Sequence, residues 1–125
     1  MQAKNILVVE DDTFTRELYD EVLKAAGYNV EIAADGEQGL VKAKAGGFDL
    51  ILVDIMMPKL DGLGVLAELK KTPPQKPNGA IVMLTNLSHD PVVNQAMSLG
   101  AKACLVKIDL DPGQLVEKVK TFLGE

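Results

Sequence analysis

The chain has 125 residues, 47% hydrophobic and 25% charged, and eighteen acids against thirteen lysines and arginines give a net charge of −5. This length suits one domain, 1–125, with its own core, and the composition excludes a disordered chain. The acidic balance argues against nucleic-acid contact through a broad basic surface, the single cysteine (Cys104) excludes a disulfide framework or a cysteine zinc cluster, and no apolar run is long enough to span a bilayer.

In chain order, the first five residues lack the layout of a secretory signal, so a cytoplasmic protein with no membrane contact is expected. Ile6-Leu7-Val8-Val9 then reads as a strand buried on both faces, the parallel-sheet pattern. Phe14, Leu18, Val22 and Ala25 recur at helical spacing and predict one buried helix face, closed by Gly27. Residues 29–33 alternate around Glu31 and predict an edge strand. Asp35-Gly36-Glu37-Gln38 resembles a capping box with Asp in place of Ser or Thr. Leu50-Ile51-Leu52-Val53 predicts a buried third strand, and Leu63, Leu66 and Leu69 a helix after it. Three of the six prolines fall in residues 72–78, which predicts a loop. A fourth strand over 80–84 and a fifth over 103–106 follow. Asp90-Pro91 and Asp111-Pro112 each place a capping acid before a proline suited to a first helical turn. Gly100 ends one of these helices, and Leu115, Val119 and Phe122 mark the inner face of the last. The expected class is α/β: a five-stranded, doubly wound parallel sheet with helices on both faces.

The polar residues cluster by position. Glu10-Asp11-Asp12 follows the first strand and Asp54 the third, while Thr85 ends the fourth and Lys107 the fifth. Open α/β sheets bind ligands at these carboxyl ends. Asp12 or Thr13 serves as a helix cap, but three successive acids exceed what a cap requires. Packed against Asp54 they would repel one another unless a cation joined them, and a few hard oxygen ligands suit Mg²⁺. Asp54 after a wholly apolar strand needs a partner, which Lys107 can supply. Taken singly, Lys107 reads as a solvated lysine and Thr85 as an ordinary strand residue. Together the set offers a carboxylate nucleophile, a cation site, a hydroxyl donor and a fixed positive charge, the equipment of phosphoryl transfer. His89 reads as a solvated loop residue, Met56 and Met57 as packing residues, and Cys104 as a buried small hydrophobe.

These segments in this order resemble the receiver domain of bacterial two-component response regulators. The resemblance is carried by Ile6 through Asp12, by Asp49-Leu50-Ile51-Leu52-Val53-Asp54-Ile55-Met56-Met57-Pro58, by Asp61-Gly62, by Val82-Met83-Leu84-Thr85 and by Leu105-Val106-Lys107. It implies a flavodoxin-like sheet of order 2-1-3-4-5. It also implies that Asp54 accepts a phosphoryl group from the phosphohistidine of a sensor histidine kinase or histidine phosphotransfer protein. Glu10 and Asp11 would form the acid pair of an Mg²⁺ site whose ligands include Asp11, Asp54 and the Met56 backbone carbonyl. Thr85 would hydrogen-bond the phosphoryl group, and Lys107 would pair with Asp54 and then with the phosphate. Output would pass to a protein target through the fourth and fifth strands and their helices. Such a domain promotes its own phosphotransfer and dephosphorylation but is a signalling domain rather than an enzyme. Both a stand-alone chemotaxis-type regulator and a piece of a longer regulator fit.

Three positions depart from the family pattern: Ile108 stands where proline usually follows the lysine, Cys104 where an aromatic ring is common, and Asn86 where a small residue is usual. Rival readings fit less well. A flavodoxin-type carrier would place three acids against its FMN phosphate, and a haloacid-dehalogenase-like phosphatase would want an aspartate where Met56 stands. A pseudo-receiver binding module usually loses one of the acids, the threonine or the lysine, all present here.

Overall fold

A computed structural model describes residues 3–86 and 90–125, with only the main chain at Asp90. The elements alternate as expected: β1 (Asn5–Val9), α1 (Thr13–Ala25), β2 (Asn29–Ala33), α2 (Gly36–Ala45), β3 (Leu50–Asp54), α3 (Gly62–Lys71), β4 (Ala80–Thr85), α4 (Asp90–Ser98), β5 (Ala103–Val106) and α5 (Pro112–Leu123). A short 3₁₀ turn, Lys107–Asp109, joins β5 to α5. The five strands form one parallel sheet in the order β2-β1-β3-β4-β5. The order reverses between β1 and β3, so the crevice of such a sheet opens beyond the carboxyl ends of these two strands.

The strands divide their side chains with period two. Leu7, Val9, Ile51, Val53 and Met83 pack with Ala43, Val65, Leu66, Leu69 and Ala96 on the side covered by α2, α3 and α4. Ile6, Val8, Leu50, Leu52, Val82 and Leu84 pack with Tyr19, Leu23, Leu115 and Val119 on the side of α1 and α5. Both faces of β1, β3 and β4 are thus covered, which is why these strands read as unbroken apolar runs.

The caps account for most helix starts. The side chains of Asp12, Asp35, Asp61 and Asp111 accept from the main-chain N–H of Thr15, Gln38, Gly64 and Gln114. At Asp111 the box is reciprocal, since the Gln114 side chain accepts from the Asp111 N–H. At Asp35 it is not: Gln38 Oε1 accepts instead from Ala34 N–H, one residue earlier. Gly27 and Gly100 end α1 and α4 at φ of 99° and 106°, the left-handed region that glycine enters without steric cost. The α4 helix begins at Asp90, whose side chain, like His89, lies outside the described residues.

The expected inner face of α1 is corrected. Phe14 is 75% exposed and Ala25 is exposed, while Leu18 and Val22 are only half-buried. The inward stripe is centred on Tyr19 and Leu23. Phe14 lies in the first turn of α1, ahead of the residues Leu18, Tyr19 and Leu23 that pack into the core.

Candidate functional site

Each acidic or basic side chain of the candidate site is delivered by the end of a strand. Glu10 follows β1 and is completely buried, its main-chain N–H donating to Ala33 O at 3.1 Å across to β2. Its Oε2 accepts from Asp12 N–H at 3.1 Å and its Oε1 from Lys107 Nζ at 2.7 Å. Asp54 is the last residue of β3 and is 3% exposed. Its Oδ2 accepts from Lys107 Nζ at 2.9 Å and its Oδ1 from Met56 N–H at 3.3 Å. Lys107 therefore joins two buried carboxylates from opposite sides of the sheet's reversal point. Asp11 is exposed at the mouth of the same site, and one carboxylate oxygen each from Glu10, Asp11 and Asp54 lies within 4.8 Å of the others.

The electrostatics follow from this crowding. Burial pushes the Glu10 carboxyl above its ordinary value, the neighbouring Asp54 adds to the rise, and Lys107 opposes it. Partial loss of water and the nearby Glu10 raise Asp11 as well. Burial alone would lower the Lys107 ammonium, but its bonds to Glu10 and Asp54 outweigh that and raise it. Three carboxylates thus share one lysine, which leaves a hollow poised for added positive charge.

The hollow is a cavity of about 500 Å³ whose lining includes Glu10, Asp11, Asp54, Met56, Asn86 and Lys107. Hard oxygen donors on one side and open space on the other fit Mg²⁺, which takes few protein ligands and keeps several waters. Glu10, Asp11, Asp54 and Lys107 are therefore brought together as expected. Thr85 is buried (5% exposed) at the end of β4, where it pairs with Val106, and its neighbour Asn86 faces the cavity. Met57 packs into the core, but Met56 is 71% exposed, which corrects the expectation that both methionines pack. Cys104 is half-buried, not fully buried, and sits opposite Met83 in the β4–β5 register. Ile108 is 83% exposed in the 3₁₀ turn beside the cavity.

Sequence reading missed Arg16. Its Nη1 donates to Glu10 O at 3.0 Å and to Asp11 O at 3.3 Å. The available signal was its rarity, because it is the only arginine among thirteen basic residues and falls six positions after Glu10.

Fold and site together define a sheet-end acidic pocket of the response-regulator type. The sequence model of the response regulator receiver domain matches residues 6–120, and the chain belongs to that family. It is 37% identical over 123 residues to a probable transcriptional regulator, ycf27, of Porphyridium aerugineum, covering 98% of this chain and 49% of that protein. The chain thus spans about half the length of such curated relatives. A CheY-like receiver domain protein of Methanospirillum hungatei superposes with a TM-score of 0.87 at 32% identity, covering 98% of this chain and 95% of that one. The crystal structure of a CheX–CheY–BeF3–Mg²⁺ complex from Borrelia burgdorferi gives 0.81 at 29% identity, covering 94% and 87%. The chain is a receiver domain of two-component signal transduction. Among the described residues no helix is long and apolar enough to cross a membrane.

Proposed function

We propose that this receiver domain accepts a phosphoryl group on Asp54 from the phosphohistidine of a sensor kinase or histidine phosphotransfer protein, and that the change is passed to a protein partner. The observation that carries the proposal is the placement of the buried Asp54 carboxylate, held by Lys107 at 2.9 Å within a ring of two further acids. An Asp54 oxygen would attack phosphorus, the O–P bond would form as the P–N bond breaks, and the imidazole nitrogen would keep the bonding electron pair. Lys107 already neutralises Asp54 and would stay beside the new phosphate as a fixed positive charge. Thr85 would donate its hydroxyl to a phosphoryl oxygen. Glu10, Asp11, Asp54 and the Met56 carbonyl are the groups that would hold Mg²⁺, which supplies neutralisation of the charge that builds on the transferring oxygens. The Borrelia CheY complex, with its beryllium fluoride and Mg²⁺, supports this reading of the acidic hollow.

On this reading the chain is a cytoplasmic signalling domain that promotes its own modification and its reversal, not an enzyme with an external substrate. Its output would run through β4, β5 and the helices beside them, with no nucleic-acid contact by this domain. Incubation with Mg²⁺ and a small phosphodonor, followed by mass spectrometry, should place one phosphoryl group on Asp54. Asp54→Asn should take up none, and labelling of that variant at the parent level would refute the assignment.

A further inference from the structure

We infer that Arg16 is a positioning residue for the acidic loop, fixing Asp11 where a divalent cation can use it; the inference rests on the metal-site reading above. Glu10 and Asp54 are each anchored twice, through Lys107 and through a main-chain N–H of Asp12 or Met56. Asp11 is the exposed member of the three, so its carboxylate depends most on how its own backbone is held. The Arg16 guanidinium bridges two successive carbonyls, those of Glu10 and Asp11, at 3.0 and 3.3 Å. Such a bridge sets the peptide plane between the two acids and with it the direction in which the Asp11 side chain leaves the chain. Arg16 is itself half-buried and tied to the loop by its own N–H, which donates to Asp12 O at 2.9 Å. A planar guanidinium suits this task better than the flexible ammonium used at every other basic position of the chain.

The sign of the effect separates positioning from charge. Arg16 is a cation near a cation site. If it acted through charge alone, removing it would tighten metal binding by relieving repulsion. If it positions the acid pair, removing it weakens binding, as loss of outer-layer support at metal sites does by about tenfold or more. The α1 helix survives the change, because Asp12 caps it through Thr15 and Tyr19 and Leu23 anchor it in the core.

The test is an amide chemical-shift titration of the full chain with MgCl₂, applied to the parent, Arg16→Gln, Arg16→Lys and Asp11→Asn, with urea unfolding in EDTA run alongside. Arg16→Gln should bind Mg²⁺ about tenfold more weakly and should displace the Asp11 and Asp12 amide signals before any metal is added. Arg16→Lys, which keeps the charge but ends in a shorter side chain without the planar group that aims Nη1 between the two carbonyls, should also be weaker than the parent. Affinity in Arg16→Gln equal to or tighter than the parent overturns the positioning role while leaving the metal site intact. Parent-like affinity in Asp11→Asn overturns the metal-site reading itself, and this inference with it.

Discussion

Replacing Lys107 by Met would keep much of the side chain's length and remove the ammonium that, among the described residues, alone touches Glu10 and Asp54, at 2.7 and 2.9 Å. At an effective dielectric near 20, each of these contacts is worth about 6 kcal/mol before desolvation is counted. Most of that is offset by taking the three groups out of water. Leaving two buried carboxylates without their cation nevertheless costs about 3–5 kcal/mol. A second route caps the loss, because one proton on Glu10 can be shared with the Asp54 carboxylate beside it. Glu10 can escape by taking up a proton, which costs about 1.4 kcal/mol for each unit between the ambient pH and its ordinary value of 4.5. At pH 7 this ceiling is about 3.4 kcal/mol, and at pH 5 it is about 0.7. Glu10 is already raised by burial and by Asp54, and loss of Lys107 raises it further. The folded variant then binds more protons than the unfolded chain above pH 4.5, so its stability relative to the parent must fall as pH rises through that window. Urea unfolding followed by circular dichroism in EDTA should show a deficit of about 3 kcal/mol at pH 7 that shrinks below about 1 kcal/mol at pH 5. A deficit under about 0.5 kcal/mol at pH 7, or one unchanged at pH 5, would refute this account of the buried triad.

Asp11→Asn removes one of the crowded carboxylates, whose raised value means stability lost as pH climbs, so the metal-free variant should be equally or more stable at pH 7 by urea midpoint, and its Mg²⁺ affinity should drop at least about tenfold in titration. Tyr28 donates to Glu125 Oε1 at 2.8 Å, and burial together with that carboxylate pushes its hydroxyl up to about 12. The folded chain keeps a proton that the unfolded chain releases near pH 10, so stability should fall between pH 10 and 12, and Tyr28→Phe should flatten that slope in urea midpoints. A Cβ at Gly36 would stand 1.8 Å from Leu60 O, a main-chain atom that cannot rotate away. Gly36→Ala should therefore lower stability by about 2 kcal/mol, read as a fall in the thermal midpoint, because the β3–α3 connection must shift.

All five strands were legible to within a residue at each end: burial on both faces leaves unbroken apolar runs in β1, β3 and β4, β5 is a short apolar run at one edge, and β2 alternates around Glu31 at the other. The amphipathic helices were less so. In α1 the eye follows Phe14, Leu18 and Val22, yet Tyr19 and Leu23 carry the burial. Spacing finds that a helix has a face, but tertiary packing decides where along the helix that face begins. Phe14 precedes the point at which α1 meets the core, so its ring meets solvent although it lies on the expected stripe.

The site divides along a similar line. Glu10, Asp11, Asp54 and Lys107 could be found because parallel strands bring their carboxyl ends to one rim, and a polar residue just after an apolar run is conspicuous. Arg16 could not be found this way, since it reaches the rim from a helix and bonds carbonyls that carry no side-chain signature. Met56 was misplaced for a related reason: it is exposed, and what it brings to Asp54 is a main-chain N–H that any residue but proline would supply. The charges that define the site's chemistry are thus written in strand-end residues, while the contacts that orient those charges run largely through the backbone. On the proposed function this division has a consequence. Substitutions at Glu10, Asp54 or Lys107 alter the charge of the hollow, and their effects should track pH and metal. Substitutions at Arg16 leave the acids in place but free the exposed Asp11, so their effects should follow geometry and persist when pH is changed.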